Sequence, residues 1–158
     1  MEKINTFVLF PVLPDYVGAF LRTLHQFTPP NFQVIVVDQT KDGIYDVVKP
    51  FNPELYVRSY RNLGFSKAAN MGAALATTKY VTIANDDVEF INNRWWNGIE
   101  ETFSSDERII RLENGGIVRI HDGGLLLACK RFRGQRQRNS PAVPACVRFL
   151  FSLAGTEA

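Results

Sequence analysis

The stretch from Arg61 to Phe90, RNLGFSKAANMGAALATTKYVTIANDDVEF, constrains the fold more than any other part of the chain. It reads as a glycine-containing turn, a helix of small residues, a β-branched strand from Tyr80 to Ala84, and then Asn85, Asp86 and Asp87 in a row. Strands that alternate with helices belong in an α/β sheet, and such sheets take ligands in the crevice outside the carboxyl ends of their strands. Adjacent carboxylates after a buried strand repel each other and are costly to desolvate unless a cation or donors offset them. In one reading Asp87 holds a divalent cation, Mg2+ or Mn2+, that bridges two phosphates, with Asp86 facing a ribose or base. Hard cations take carboxylate oxygens together with substrate phosphates. In the other reading the three residues form a turn, with Asp86 capping a following helix. Spacing alone leaves both open.

The preceding sequence repeats the alternation. Ile4 to Phe10 is an apolar strand-like run stopped by Pro11 and Pro14. Asp15 is placed to cap a helix whose apolar face carries Tyr16, Phe20, Leu24 and Phe27. Phe32 to Val37 is a second strand ending at Asp38, Ile44 to Lys49 a short helix, and Leu55 to Tyr60 a third strand. A helix is predicted from about Ser66 to Thr78, and another from Asn92 to Phe103 with Trp95, Trp96, Ile99 and Phe103 as its stripe. The order predicts a mostly parallel sheet flanked by helices, with right-handed crossovers.

Composition matters mainly where it changes. The chain has 158 residues, enough for one domain, with 46% hydrophobic and 22% charged residues and a net charge of +2. Residues 1–113 hold 11 basic against 14 acidic residues, whereas 114–158 hold 7 against 2. The chain therefore divides into a nucleotide-binding α/β part, 1–113, and an atypical basic tail, 114–158, expected to be loosely ordered. The tail carries Gly115-Gly116, where a hairpin is conceivable, the apolar run Leu125 to Cys129, and five basic residues between Lys130 and Arg138. That basic run, without interleaved aromatic residues, reads as a solvated segment with no nucleic-acid partner expected, although peripheral contact with an anionic membrane surface stays open. Two cysteines, Cys129 and Cys146, make neither a metal spacing nor a disulfide framework, which points to a cytoplasmic setting. No leader is visible at Met1, and Phe149 to Ala154 is too short to cross a bilayer.

Single residues at the strand ends carry the chemistry. Asp38 can accept a hydrogen bond from a pyrimidine N–H or can simply open the following turn. Arg61 can offset phosphate charge or stack on a base through its planar guanidinium, or can lie exposed at a sheet edge. Gly64 permits a turn with positive φ, and the helix behind it aims its first N–H groups at the strand ends, where an anion is stabilised. The small residues Ala68, Ala69, Gly72 and Ala73 let that helix pack closely. Neither His25 nor His121 sits in a catalytic pattern.

Four segments in order, FPVLPDY, VIVVDQT, RNLGFSKAANMGAALA and YVTIANDDVEF, resemble the family 2 glycosyltransferases of the GT-A fold, over about residues 4 to 103. The resemblance implies a glycosyltransferase that moves a hexosyl or related group from a nucleotide-diphosphate sugar to a carbohydrate, lipid or protein acceptor, with inversion. It implies that Pro11, Asp38, Arg61, Asn62, Asn85 and Asp86 bind the nucleotide and that Asp87, last of a DxD-like element, ligates the metal. Such enzymes also use a carboxylate as general base, and no acid after Asp87 stands in a motif for it. The chain is short for the family, so the GT-A sheet is expected to be incomplete at its C-terminus. A nucleotide-sugar-binding fragment without turnover is one alternative. A nucleotidyltransferase is another, disfavoured because no glycine-rich basic loop follows the first strand.

Overall fold

A computed structural model describes residues 2–93, 95–96, 110–111, 118–120 and 126–130. The elements up to residue 90 are β1 (Asn5–Leu9), α1 (Val17–Phe27), β2 (Phe32–Asp38), α2 (Tyr45–Val48) with a 3-10 turn at Lys49–Phe51, β3 (Leu55–Arg58), α3 (Phe65–Leu75), β4 (Tyr80–Ala84) and β5 (Val88–Phe90). Beyond them lie β6 (Ile110–Arg111), β7 (Val118–Ile120) and β8 (Leu126–Lys130). The main sheet runs β3-β2-β1-β4-β8-β6, and β5 pairs with β7 in a separate two-stranded sheet.

The four strands β3, β2, β1 and β4 are mutually parallel, as the βαβ alternation predicts. β8 joins β4 antiparallel, with Ala84 opposite Leu126 and Tyr80 opposite Lys130. Every position of β1, β2 and β4 is buried, which suits central strands covered on both faces. β3, at the edge, is exposed or half-buried throughout.

Alternate residues serve the two faces. Phe7, Leu9, Val34 and Val36 pack with Phe20, Leu21 and Leu24 of α1 and with Ile44 and Val48 near α2. Val8, Phe10, Ile35, Val37, Val81 and Ile83 pack with Ala68, Ala69 and Ala73 of α3. On the α1 side Phe7 meets Phe32 and Trp95 edge-on, each at 5.5 Å between ring centres, and Trp95 also donates from Nε1 to the Phe27 carbonyl at 3.2 Å. A large side chain buried completely contributes about 1.5–3 kcal/mol, so this aromatic group is a main anchor of the fold.

On the opposite face closeness replaces bulk. A Cβ on Gly72 would stand 2.2 Å from Val8 Cγ1, so α3 lies on β1 at a separation only glycine permits. That approach brings the start of α3 to the carboxyl ends of the strands.

Several boundaries differ from those read in the sequence. Asp15 does not cap α1: Tyr16 occupies the cap position, with no side-chain hydrogen bond there, and Asp15 lies in the turn before it. Asp86 caps no following helix, because a strand, β5, comes next. Of the predicted 92–103 helix, only 92, 93, 95 and 96 are described, with Trp95 and Trp96 buried. The glycine pairs at 115–116 and 123–124, His121 and the basic run from residue 131 onward lie outside the described residues, as does the loose order expected of the tail there. The flanking strands β6 and β7 belong to different sheets and do not pair with each other.

Candidate functional site

The strand order itself locates the site. From β1 the chain steps outward through β2 to β3, then returns to the other side of β1 to form β4. The two directions part between β1 and β4, and a crevice opens at such a switch point beyond the strand ends. Register sets what faces it: Leu9 pairs with Val36 and with Ala84, and Asp38 pairs with Arg58. Continued past the strands, that register brings Pro11 level with Asp38 on one side and with Asp86 on the other. All the predicted site residues therefore lie on the C-terminal edge of one sheet.

At the β2 tip, Asp38 is fully buried. Its Oδ1 accepts from the Thr40 N–H at 2.8 Å and the Thr40 hydroxyl at 2.7 Å. Its Oδ2 accepts from the Ile44 N–H at 3.1 Å, from Arg58 Nη1 at 2.7 Å and from the Tyr56 hydroxyl. Burial alone would raise the pKa of this carboxyl, but the bonds from Tyr56, Thr40 and Arg58 outweigh it and hold the group below its ordinary value. Burial and the bond to Asp38 raise the Tyr56 phenol in turn. Both carboxylate oxygens are thus engaged from within the protein, and a base N–H reaching Asp38 would have to share one of them. What the carboxylate holds is the 39–44 loop.

Gln39 is the residue at this tip that sequence reading passed over as part of a turn. Its backbone N–H donates to the Pro11 carbonyl at 3.0 Å. Its side chain donates from Nε2 to the Phe10 carbonyl at 3.1 Å and accepts at Oε1 from the Leu63 N–H at 2.6 Å. Pro11, the end of β2 and the turn after β3 are joined through this one residue. The available signal was parity: Gln39 follows Ile35 and Val37 onto the α3 face, opposite Asp38.

Arg61 and Asn62 are exposed in that turn. Asn62 Oδ1 accepts from the Gly64 N–H at 2.8 Å, and the Ser59 hydroxyl donates to the Arg61 carbonyl at 2.7 Å. Gly64, at φ 74°, precedes the first residue of α3, and no side chain caps the helix there. An open pocket of about 360 Å3 lies beside the turn, bounded by Arg58, Tyr60, Arg61, Leu63 and Met71. Its lining includes Arg61 but none of Asp38, Asn85, Asp86 or Asp87.

Asn85, Asp86 and Asp87 are half-buried in the turn between β4 and β5. Burial pushes the Asp86 carboxyl up to about 6, and the neighbouring charges of Asp87 and Asp15 add to the rise. At the other end of the sheet Asn5 Nδ2 donates to the Thr82 hydroxyl at 3.0 Å and Gln33 Nε2 to the Thr6 hydroxyl at 2.7 Å, while Thr28 Oγ1 and Asn31 Oδ1 are buried there without a partner. At the C-terminal edge the buried Asn85 Oδ1 and Asp86 Oδ2 have no hydrogen-bond partner. An all-oxygen donor set with unmet acceptors fits a hard divalent cation. Among the described residues no group of three or more His, Cys, Asp or Glu side chains is placed to hold a metal alone. The fit is to a cation whose coordination phosphate or water oxygens complete.

The glycosyl transferase family 2 model matches residues 12–140 of the chain. No curated protein matches the sequence significantly. Among solved structures, the mannosyltransferase PcManGT of Pyrobaculum calidifontis, in complex with GDP-Man and Mn2+, is similar at a TM-score of 0.68 and 17% identity, over 83% of this chain and 45% of that one. TarS 1-349 of S. aureus, in complex with UDP-GlcNAc, is similar at a TM-score of 0.62 and 19% identity, over 86% of this chain and 37% of that one. A 4-diphosphocytidyl-2C-methyl-D-erythritol synthase of Anaerococcus prevotii follows at 0.56 and 9%, over 81% and 71%. At these identities the likeness is one of fold, and the chain spans less than half the length of the first two.

Proposed function

The chain belongs to glycosyl transferase family 2, and we propose that its described part binds the nucleotide-diphosphate portion of a sugar donor, with a divalent cation, for glycosyl transfer to an acceptor. One observation supports this reading: in a member of that family, the strand order reverses between β1 and β4, and Asn85, Asp86 and Asp87 follow directly on β4 at that switch point. Support for the donor class comes from the fold-level likeness to proteins solved with GDP-Man and with UDP-GlcNAc.

The roles follow from placement. Asp87 would hold Mn2+ or Mg2+ with help from Asn85 and Asp86, and such a cation would supply charge neutralisation for the leaving diphosphate. Arg61, exposed beside the uncapped start of α3, offsets the remaining phosphate charge. Pro11 and Asn62 border the nucleotide. Asp38 acts by fixing the 39–44 loop through Thr40 and Ile44, so that its carboxylate shapes the base-binding surface.

Transfer with inversion is a single displacement: the acceptor oxygen bonds to the anomeric carbon as the bond to the diphosphate breaks. The acceptor's proton passes to a carboxylate base. Among the described residues after Asp87, Glu89 is the sole carboxylate, and it lies on β5 next to the cation turn. A second reading, in which the chain binds donor without turnover, rests on the sequence alone, where no acid after Asp87 stands in a motif for such a base. Incubation with radiolabelled UDP- and GDP-sugars, Mn2+ and a pool of acceptors separates the two: transferred label supports the enzyme, and saturable binding without transfer supports the second reading. Pyrophosphate released from a nucleoside triphosphate would instead indicate a nucleotidyltransferase.

A further inference from the structure

We infer that Gln39 is a positioning residue for the nucleotide, holding the Arg61–Gly64 turn in register with the tip of β1. This deepens the function proposed above and rests on it.

Gln39 is 6% exposed and spans two elements that the sequence separates widely. The Phe10 carbonyl can only accept and the Leu63 N–H can only donate, so the amide orientation is fixed by its partners. Asp38 ends β2, and Gln39 follows it with its side chain bonded to the opposite, α3 side. Asp38 holds the 39–44 loop, and Gln39 holds the turn that carries Arg61. The other bonds of that turn, from Ser59 and within Asn62–Gly64, tie it to itself and to the edge strand. Gln39 supplies its hydrogen-bonded link to the tip of β1, beside the apolar packing of Leu63 and Phe65 on the same face.

The side-chain requirements are specific. Methionine would fill the same volume but leave the Phe10 carbonyl and Leu63 N–H unpaired. Asparagine, one methylene shorter, could not reach both. Without the clasp, the turn would keep the packing of Leu63 and Phe65 against the β1–β2 face and the Ser59 N–H bond to the Asp38 carbonyl but lose its side-chain hydrogen bond to the tip of β1, and a charge placed a fraction of an ångström away binds phosphate less well.

The test is a double-mutant cycle on nucleoside diphosphate affinity, by titration calorimetry with UDP and with GDP in the presence of Mn2+, using the full chain. Gln39→Met is expected to weaken binding about tenfold, the effect of losing one to two buried hydrogen bonds. In an Arg61→Ala background the same substitution is expected to change affinity less than about twofold, because the group it positions is gone. If Arg61→Ala binds too weakly to measure, Arg61→Lys takes its place in the cycle. Exchange of the Leu63 amide is expected to quicken in Gln39→Met. Equal losses in both backgrounds, or none in either, would overturn the inference. Should Gln39→Met fail to fold, Gln39→Asn carries the same comparison. A parent protein that binds neither diphosphate would refute the nucleotide reading itself, a result distinct from a parent that binds and variants that match it.

Discussion

Asp38 and Arg58 stand opposite each other on the adjacent parallel strands β2 and β3, and Arg58 Nη1 donates to Asp38 Oδ2 at 2.7 Å. Arg58 also donates from Nη2 to the Lys41 carbonyl at 2.8 Å, so one guanidinium ties the edge strand to the start and the middle of the loop that follows β2. The loop is therefore fixed by a carboxylate inside and a cation outside.

Removal of the inner partner is expected to be the more damaging change. Asp38→Ala strands the Thr40 amide and the Tyr56 hydroxyl and leaves the Ile44 N–H only its longer bond to Tyr56 at 3.4 Å, and each buried donor left unpaired costs roughly 1–3 kcal/mol. Arg58→Ala, at a more exposed position, leaves those three bonds in place. Urea denaturation of both variants checks this: a lower midpoint for Asp38→Ala than for Arg58→Ala agrees, and the reverse order contradicts it.

The two shifted carboxyls act on stability with opposite signs. Asp86, raised to about 6 from an ordinary 3.8, makes the native state bind more protons between those values, so its contribution to stability falls as pH rises through that window. Asp38, held below 3.8, contributes stability that is present above that value and lost as pH falls through its native pKa. In chelator, Asp86→Asn is expected to melt above the parent at pH 7, with the gain vanishing near pH 4. A difference in melting temperature that does not vary with pH would show that burial of the charge is not its cause.

Gly72→Ala is expected to destabilise the fold by about 1–3 kcal/mol through overpacking, because the new methyl would meet Val8 Cγ1 at 2.2 Å. Val8→Ala in the same chain should restore part of that loss by removing the obstructing atom, a non-additivity that contacting residues show. Simple addition of the two losses in denaturant titrations would place the strain elsewhere.

Much of this arrangement was legible because it is local. Tyr80 to Ala84 is bounded as its β-branched run predicts, and the small residues of α3 announce a close approach. The strand tips at Asp38 and at Asn85–Asp87 are where apolar runs meet acids. What escaped is non-local. Nothing near Asp38 in the sequence indicates that Tyr56 and Arg58 would occupy its Oδ2, because that depends on the β2–β3 register. Gln39 looked like any turn residue, since its role comes from partners at Phe10 and Leu63. Asp15 carried the pattern of a helix cap, yet Tyr16 occupies that position and Asp15 lies in the turn before it. β5 is three residues long, too short for its alternation to separate it from the turn before it.

The most direct measurement is calorimetric titration of UDP and GDP into the parent and Asp87→Ala, each with Mn2+ and with chelator. The account expects the parent to bind one of the diphosphates only when Mn2+ is present, and Asp87→Ala to give no detectable heat of binding while melting as the parent does. Equal affinity for parent and variant in Mn2+ would contradict it.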